Sequence, residues 1–262
     1  GAYHGGWSLG GFAGAGVLLV LLKILSLPVN ESIWGLLIVL FIAMVVVSQF
    51  MLTFGSDPNA KVTKKSKSPL SFHPIALIFG LLSFVSYLVE GAVGDWSALY
   101  LFEDKGIVIE EAVMGVMLFN GTMCIGRLLG NRLGKHLTSK QVVVGGYLLG
   151  SIAMGLIVFL PGHASMYTYL LLGISLAMIV PNLFSAMGEQ NVIPMTQAVA
   201  TSTMLGYMGI LMGPALIGFI AHGTSLTVAF IVLTTLLVVS AGIGKYAYHL
   251  MSKDCGLSEE QI

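Results

Sequence analysis

Eight runs of apolar residues take up most of the chain, each close to the roughly 20 residues that a helix needs to cross a hydrocarbon core. They span 5–27, 33–54, 73–101, 112–133, 142–160, 167–187, 199–221 and 226–249. Most of the gaps are short and carry turn-forming residues, as in Leu27-Pro28-Val29-Asn30, Leu160-Pro161-Gly162-His163 and Ala221-His222-Gly223-Thr224. One gap is long and polar: Gly55-Ser56-Asp57-Pro58-Asn59-Ala60 is followed by Lys61, Lys64, Lys65 and Lys67. The pattern predicts an all-α, polytopic membrane protein of about eight transmembrane helices. It divides into two helices (1–54), a linker (55–72), six helices (73–249) and a polar tail (250–262).

Composition agrees with that reading. Hydrophobic residues make up 56% of the chain and charged residues 9%, and mean hydropathy is +0.92. A soluble surface carries about 25% charged residues, so most of this surface must face lipid. The formal net charge is zero, with no basic excess to bind nucleic acid. Cys124 and Cys255 give neither a disulfide framework nor metal-ligand spacing. No cofactor or metal is expected. Gly242-Ile243-Gly244-Lys245-Tyr246 lacks the earlier glycine and the following Ser/Thr of a phosphate-binding loop. The first apolar run lacks the basic leader and cleavage site of a signal peptide.

Charge sets an expected orientation. Lysine and arginine collect in the linker and near Arg127, Arg132, Lys135 and Lys140, whereas Glu103, Asp104, Glu110 and Glu111 dominate the gap between. The positive-inside rule places the linker, the 134–141 turn and the tail on the cytoplasmic side. Glycines spaced by four, at Gly6, Gly10 and Gly14 and again at Gly209 and Gly213, predict faces on which backbones approach closely. Pro181 and Pro214 lie within apolar runs and are expected to bend their helices.

An ionisable group inside the bilayer costs several kcal/mol, roughly 2.5–3.5 on the mildest scale. Glu90 lies deep in the third run. Ser83, Tyr87, Glu90 and Gly94 share one helical face, expected to point into the bundle, and Gly91–Gly94 is a place where the helix could break. Glu90 is a candidate proton or substrate site, because burial favours the neutral carboxyl; the alternative is a carboxylate that ties neighbouring helices together. In the fourth run Asn120, Cys124, Arg127 and Asn131 share a face. Asn120 is a candidate hydrogen-bonding group for a polar solute. Arg127 is either a gate or anion contact, or an arginine snorkelling to the cytoplasmic interface. In the sixth run Asn182 lies seven residues beyond Ser175, next to Pro181, and is a third candidate for lining a cavity.

Three stretches resemble the major facilitator superfamily of secondary transporters, in its bacterial, fucose-permease-related branch. Glu90-Gly91-Ala92-Val93-Gly94-Asp95-Trp96-Ser97-Ala98-Leu99-Tyr100-Leu101 is similar to the seventh helix of those proteins. Tyr3-His4-Gly5-Gly6-Trp7-Ser8-Leu9-Gly10-Gly11 is similar to the opening of the fifth, and Gly206 to Gly218 to the eleventh. Asn131-Arg132-Leu133-Gly134-Lys135-His136 resembles the family's basic loop motif, with Asn131 where an aspartate is usual. The resemblance implies two six-helix halves joined by a cytoplasmic linker, and hence a chain without the first four helices. It implies a bacterial inner-membrane protein, monomeric at full length, whose partners are the lipid bilayer, a small polar solute such as a sugar or related metabolite, and protons. The expected function is proton-coupled secondary transport by alternating access. The expected site residues are Glu90, Tyr87, Asn120, Asn182 and Arg127. A drug or metabolite exporter of the same fold is the first alternative. A non-transporting sensor or a polytopic membrane enzyme is the second, although neither a catalytic cluster nor an output domain stands out in the sequence.

Overall fold

The computed structural model describes residues 2–50, 70–133 and 137–255. The described residues are helical and joined by short turns. In chain order the helices are α1 (Ala2–Leu19), extended by a π turn over Val20–Ile24, α2 (Val29–Ser48), α3 (Pro74–Glu103), α4 (Ile109–Leu133) and α5 (Ser139–Phe159). Then come α6 (Gly162–Tyr167), α7 (Tyr169–Leu176), α8 (Ile179–Glu189), α9 (Met195–Gly223) and α10 (Leu226–Cys255). Seven of the resulting segments are long and apolar enough to cross a membrane, α6–α8 counting as one, and Leu9–Ile24 adds a shorter apolar helix. The chain is a multi-pass membrane protein with the expected order of spans. Most of the linker, the Gly134-Lys135-His136 part of the loop motif, the side chain of Asn131 and the end of the tail lie outside the described residues.

Helices α3–α10 form one body. α3 runs through its centre, packs most extensively on α9, and also touches α4, α8 and α10. α10 lies along α5, and α4 lies between α1, α3 and α7. The core includes Phe79, Tyr100, Phe119, Tyr147, Tyr169, Phe230 and Tyr248, all essentially inaccessible. Hydrogen bonds tie the two ends. At one end Lys105 Nζ donates to the Val158 carbonyl at 2.6 Å and Thr227 donates to Asp104 at 3.2 Å. At the other, the Ser139 and Tyr248 hydroxyls meet at 2.8 Å, and the Ser71 N–H donates to Thr201 Oγ1 at 2.9 Å. α2 is different: it is exposed along nearly all its length, buries only Ser32, and its main packing contact is with the π turn.

Several local expectations need correction. α3 does not break at Gly91–Gly94; it stays helical to Glu103. Pro214 removes the amide that would bond the Ile210 carbonyl, and that carbonyl faces Gly91, where a Cβ would sit 3.2 Å from it. Gly91 therefore admits a neighbouring backbone rather than ending a helix. α9 continues through Pro214, and the Trp96 indole donates to the Pro214 carbonyl at 3.0 Å. The sixth run does break, at Thr168 and again at Ala177–Met178, just before Pro181. Gly209 and Gly213 pack as expected, against the Phe84 and Leu88 backbone. Among the described residues nothing lies within 4 Å of a Cβ built on Gly6, Gly10 or Gly14; α1 instead presents Gly11 and Gly16 to α4.

Candidate functional site

The centre of the site follows from α3. Glu90 lies about 20 Å along the helix axis from Glu103, facing α4. Arg127 of α4 reaches it: Nη2 lies 3.2 Å from Glu90 Oε2 and 3.4 Å from Oε1. Their side chains are 2% (Arg127) and 9% (Glu90) exposed. Of the two alternatives for Arg127, snorkelling to the interface is not the one seen, because its side chain stays buried beside Glu90. A guanidinium inside an apolar bundle gains more from a buried carboxylate than from stretching to a distant interface, and the structure gives it one.

The pair is loose. One nitrogen is shared between both oxygens, where a tight arginine–carboxylate fork would use two parallel bonds at about 2.7–2.9 Å. Such a pair holds two helices together and can be parted without dismantling a rigid fork.

Tyr87, one turn before Glu90, is buried on the same side of α3. Its ring stacks on Tyr207 of α9, centroids 5.7 Å apart and planes 13° from parallel. Gly206 makes room, since a Cβ there would come within 2.9 Å of the Tyr87 ring. Tyr207 itself is half exposed. The structure therefore brings together Tyr87, Glu90 and Arg127, and adds Tyr207, a residue that sequence spacing did not single out although it lies in the glycine-rich stretch of α9.

Asn120 and Asn182 lie elsewhere. Asn120 donates to the Val116 carbonyl at 3.0 Å, and its side chain abuts Gly11, so it sits in the seam between α1 and α4. Asn182 donates to the Met178 carbonyl at 2.8 Å, satisfying the break before α8. Its own carbonyl accepts from Ser139 Oγ at 3.4 Å, near the start of α5. Both remain half-buried. Another network unread from sequence lies behind the site: Tyr147 donates to the Leu82 carbonyl at 2.7 Å and meets the Ser86 hydroxyl at 2.8 Å, locking α5 to α3. An open pocket of about 480 Å³ at the Glu103 end, lined by Trp96, Asp104 and His222 among others, is a separate feature.

The chain is similar to known membrane proteins over most of its length. It is 36% identical to an uncharacterised MFS-type transporter of Yersinia pestis across 244 residues, 91% of this chain and 61% of that protein. It is 30% identical to the membrane protein MosC of Rhizobium meliloti over 64% of the chain and 42% of that protein. It is 28% identical to an uncharacterised transporter of Sinorhizobium fredii over 59% of the chain and 41% of that protein. No protein-family profile matches. The chain is a homologue of an MFS-type transporter and spans about three-fifths of that relative's length. Its relatives of stated class are transporters, not enzymes.

Proposed function

We propose that the protein containing this chain carries a small polar solute across the bilayer by alternating access, coupled to protons, with Glu90 as the proton-exchanging group. The observation that carries this reading is the buried, loose Glu90–Arg127 pair between α3 and α4. Two desolvated charges are a poor source of stability, since well-packed apolar residues often serve as well or better, and ionisable groups at membrane depth are functional by default. A proton arriving on Glu90 removes the negative charge that faces Arg127. A polar solute then competes better for the guanidinium, so protonation and solute binding are linked through Arg127. The Tyr87–Tyr207 stack offers a flat wall beside it, suited to the apolar face of a sugar-like ring.

A second reading keeps the fold and changes the cargo. α9 exposes Met204, Met208, Leu211 and Met212, a flexible apolar face of the kind that accommodates varied hydrophobic ligands. It favours an exporter of apolar compounds. The two separate experimentally. Membrane vesicles bearing the full-length protein are offered a panel of sugars and related polar metabolites, with and without an imposed proton gradient. The first reading expects one of them to accumulate only with the gradient. If none responds while cells gain resistance to apolar toxins, the exporter stands instead.

A further inference from the structure

Among the described residues, α1 joins the six-helix body mainly along an antiparallel seam with α4. Gly11 lies against Asn120, the Phe12 ring against Gly121 and Gly16 near Met117. At the far end, Lys23 Nζ lies 2.7 Å from Glu111 Oε1. Apart from its own π turn, α4 is the main packing partner of α1. Glycines on both helices let the backbones approach closely along the seam. Its closing contact is ionic and lies at the end where Glu103 and the 104–108 turn also lie.

Glu111 has a second partner. Its Oε2 is 3.1 Å from His163 Nε2 on α6. The carboxylate therefore stands between a permanent cation on α1 and a titratable ring on the six-helix body. Neutral His163, donating from Nε2, leaves the full negative charge for Lys23. Protonated His163 neutralises that charge and adds a like charge facing Lys23. Glu111 and His163 both belong to the body, so their bond survives when α1 moves away, while the Lys23 bond does not. The neighbouring charges do not take over the role: Glu110 is exposed beside Glu111, Asp104 accepts from Thr227, and Lys105 is bonded to Val158 and lies 5.3 Å over the Tyr100 ring.

We propose that Lys23, Glu111 and His163 form a proton-sensitive clasp that holds this end of α1 against the six-helix body and loosens when His163 gains a proton. The role of the clasp in a transport cycle rests on the transporter reading above; the clasp itself does not. The side chains of Lys23, Glu111 and His163 are 47%, 29% and 58% exposed. Pairs so wet are weak, which suits a contact that must open and reclose.

The test measures the joint directly. Nitroxide labels are placed at Leu25→Cys and Val108→Cys, both exposed positions flanking the clasp, in the full-length protein with native cysteines replaced. Distance distributions are recorded in lipid nanodiscs at about pH 8 and about pH 5.5, on either side of the range where histidine changes charge. The ratio of close to open populations is expected to fall roughly two- to five-fold at the lower pH, the fold-change that a pair of this exposure supports. Glu111→Gln and Lys23→Gln should lower that ratio at both pH values, and His163→Gln should hold it at the high-pH value throughout. A ratio unchanged in both Glu111→Gln and Lys23→Gln, or a pH response that persists in His163→Gln, overturns the proposal. The distances are read without any solute, so a clasp that behaves as described in a protein that moves nothing would count against the transporter reading alone.

Discussion

At the scale of single residues, the account turns on Glu90 and Arg127. Removing one member of a buried pair is destabilising, because the other charge loses that partner. The two removals are not equivalent. A carboxyl left without its partner can neutralise itself by taking up a proton, whereas a guanidinium cannot lose one. Arg127→Met is therefore expected to destabilise the protein less than Glu90→Gln. Unfolding of the purified variants in detergent checks the order, and a larger loss for Arg127→Met would count against a charged pair. Glu90 was legible in the sequence because a carboxylate inside an apolar run is costly enough to demand a reason. The partnership was not. Arg127 is six residues from the end of α4, a distance at which snorkelling looks cheap, and only the packing of α4 on α3 reveals the carboxylate beside it. The same limit applies to Tyr207 and to the seat of Asn120 against α1. Spacing along one helix says which residues share a face and nothing about what that face meets.

At the scale of helices, the α3–α9 contact is the most demanding. Gly209 lies over the Phe84 carbonyl, so an added methyl group meets backbone rather than a side chain that can rotate aside. Gly209→Ala is expected to cost about 1–3 kcal/mol, the usual price of overpacking a tight interface. Gly155→Ala on α5 meets only the Thr234 methyl group, at 3.9 Å, and should be tolerated. Thermal stability by fluorescence-detected gel filtration compares the two, and equal losses would mean that the contact is looser than described. The number and order of spans were readable because a bilayer imposes a minimum apolar length on each. Breaks and faces were less so. Gly91–Gly94 reads as a weak point on propensity alone, yet the neighbouring α9 backbone needs that glycine for close approach, and tertiary packing keeps α3 helical. Conversely, the interruption at Ala177–Met178 precedes Pro181, whose missing amide cannot bond four residues back; the proline marked the place without showing that the helix would divide.

At the scale of the whole molecule, two unequal groups of helices stand out. The body from α3 to α10 has a continuous core, while α1 joins it through one seam and α2 scarcely touches it. In the sequence, the long polar gap between the second and third apolar runs reads as a linker, and most of it lies outside the described residues. A transporter that alternates must let such groups shift against each other, and the charge pair inside the body would tie that movement to a proton. The central claim is that Glu90 carries that proton, and it is tested by measuring solute exchange and gradient-driven accumulation side by side in proteoliposomes of the full-length protein and its Glu90→Gln variant. The account predicts that the variant still exchanges solute across the membrane, which also shows that it is folded, but no longer accumulates it against a concentration difference when a proton gradient is imposed. Accumulation by Glu90→Gln equal to that of the unaltered protein, with the same dependence on the gradient, would contradict it.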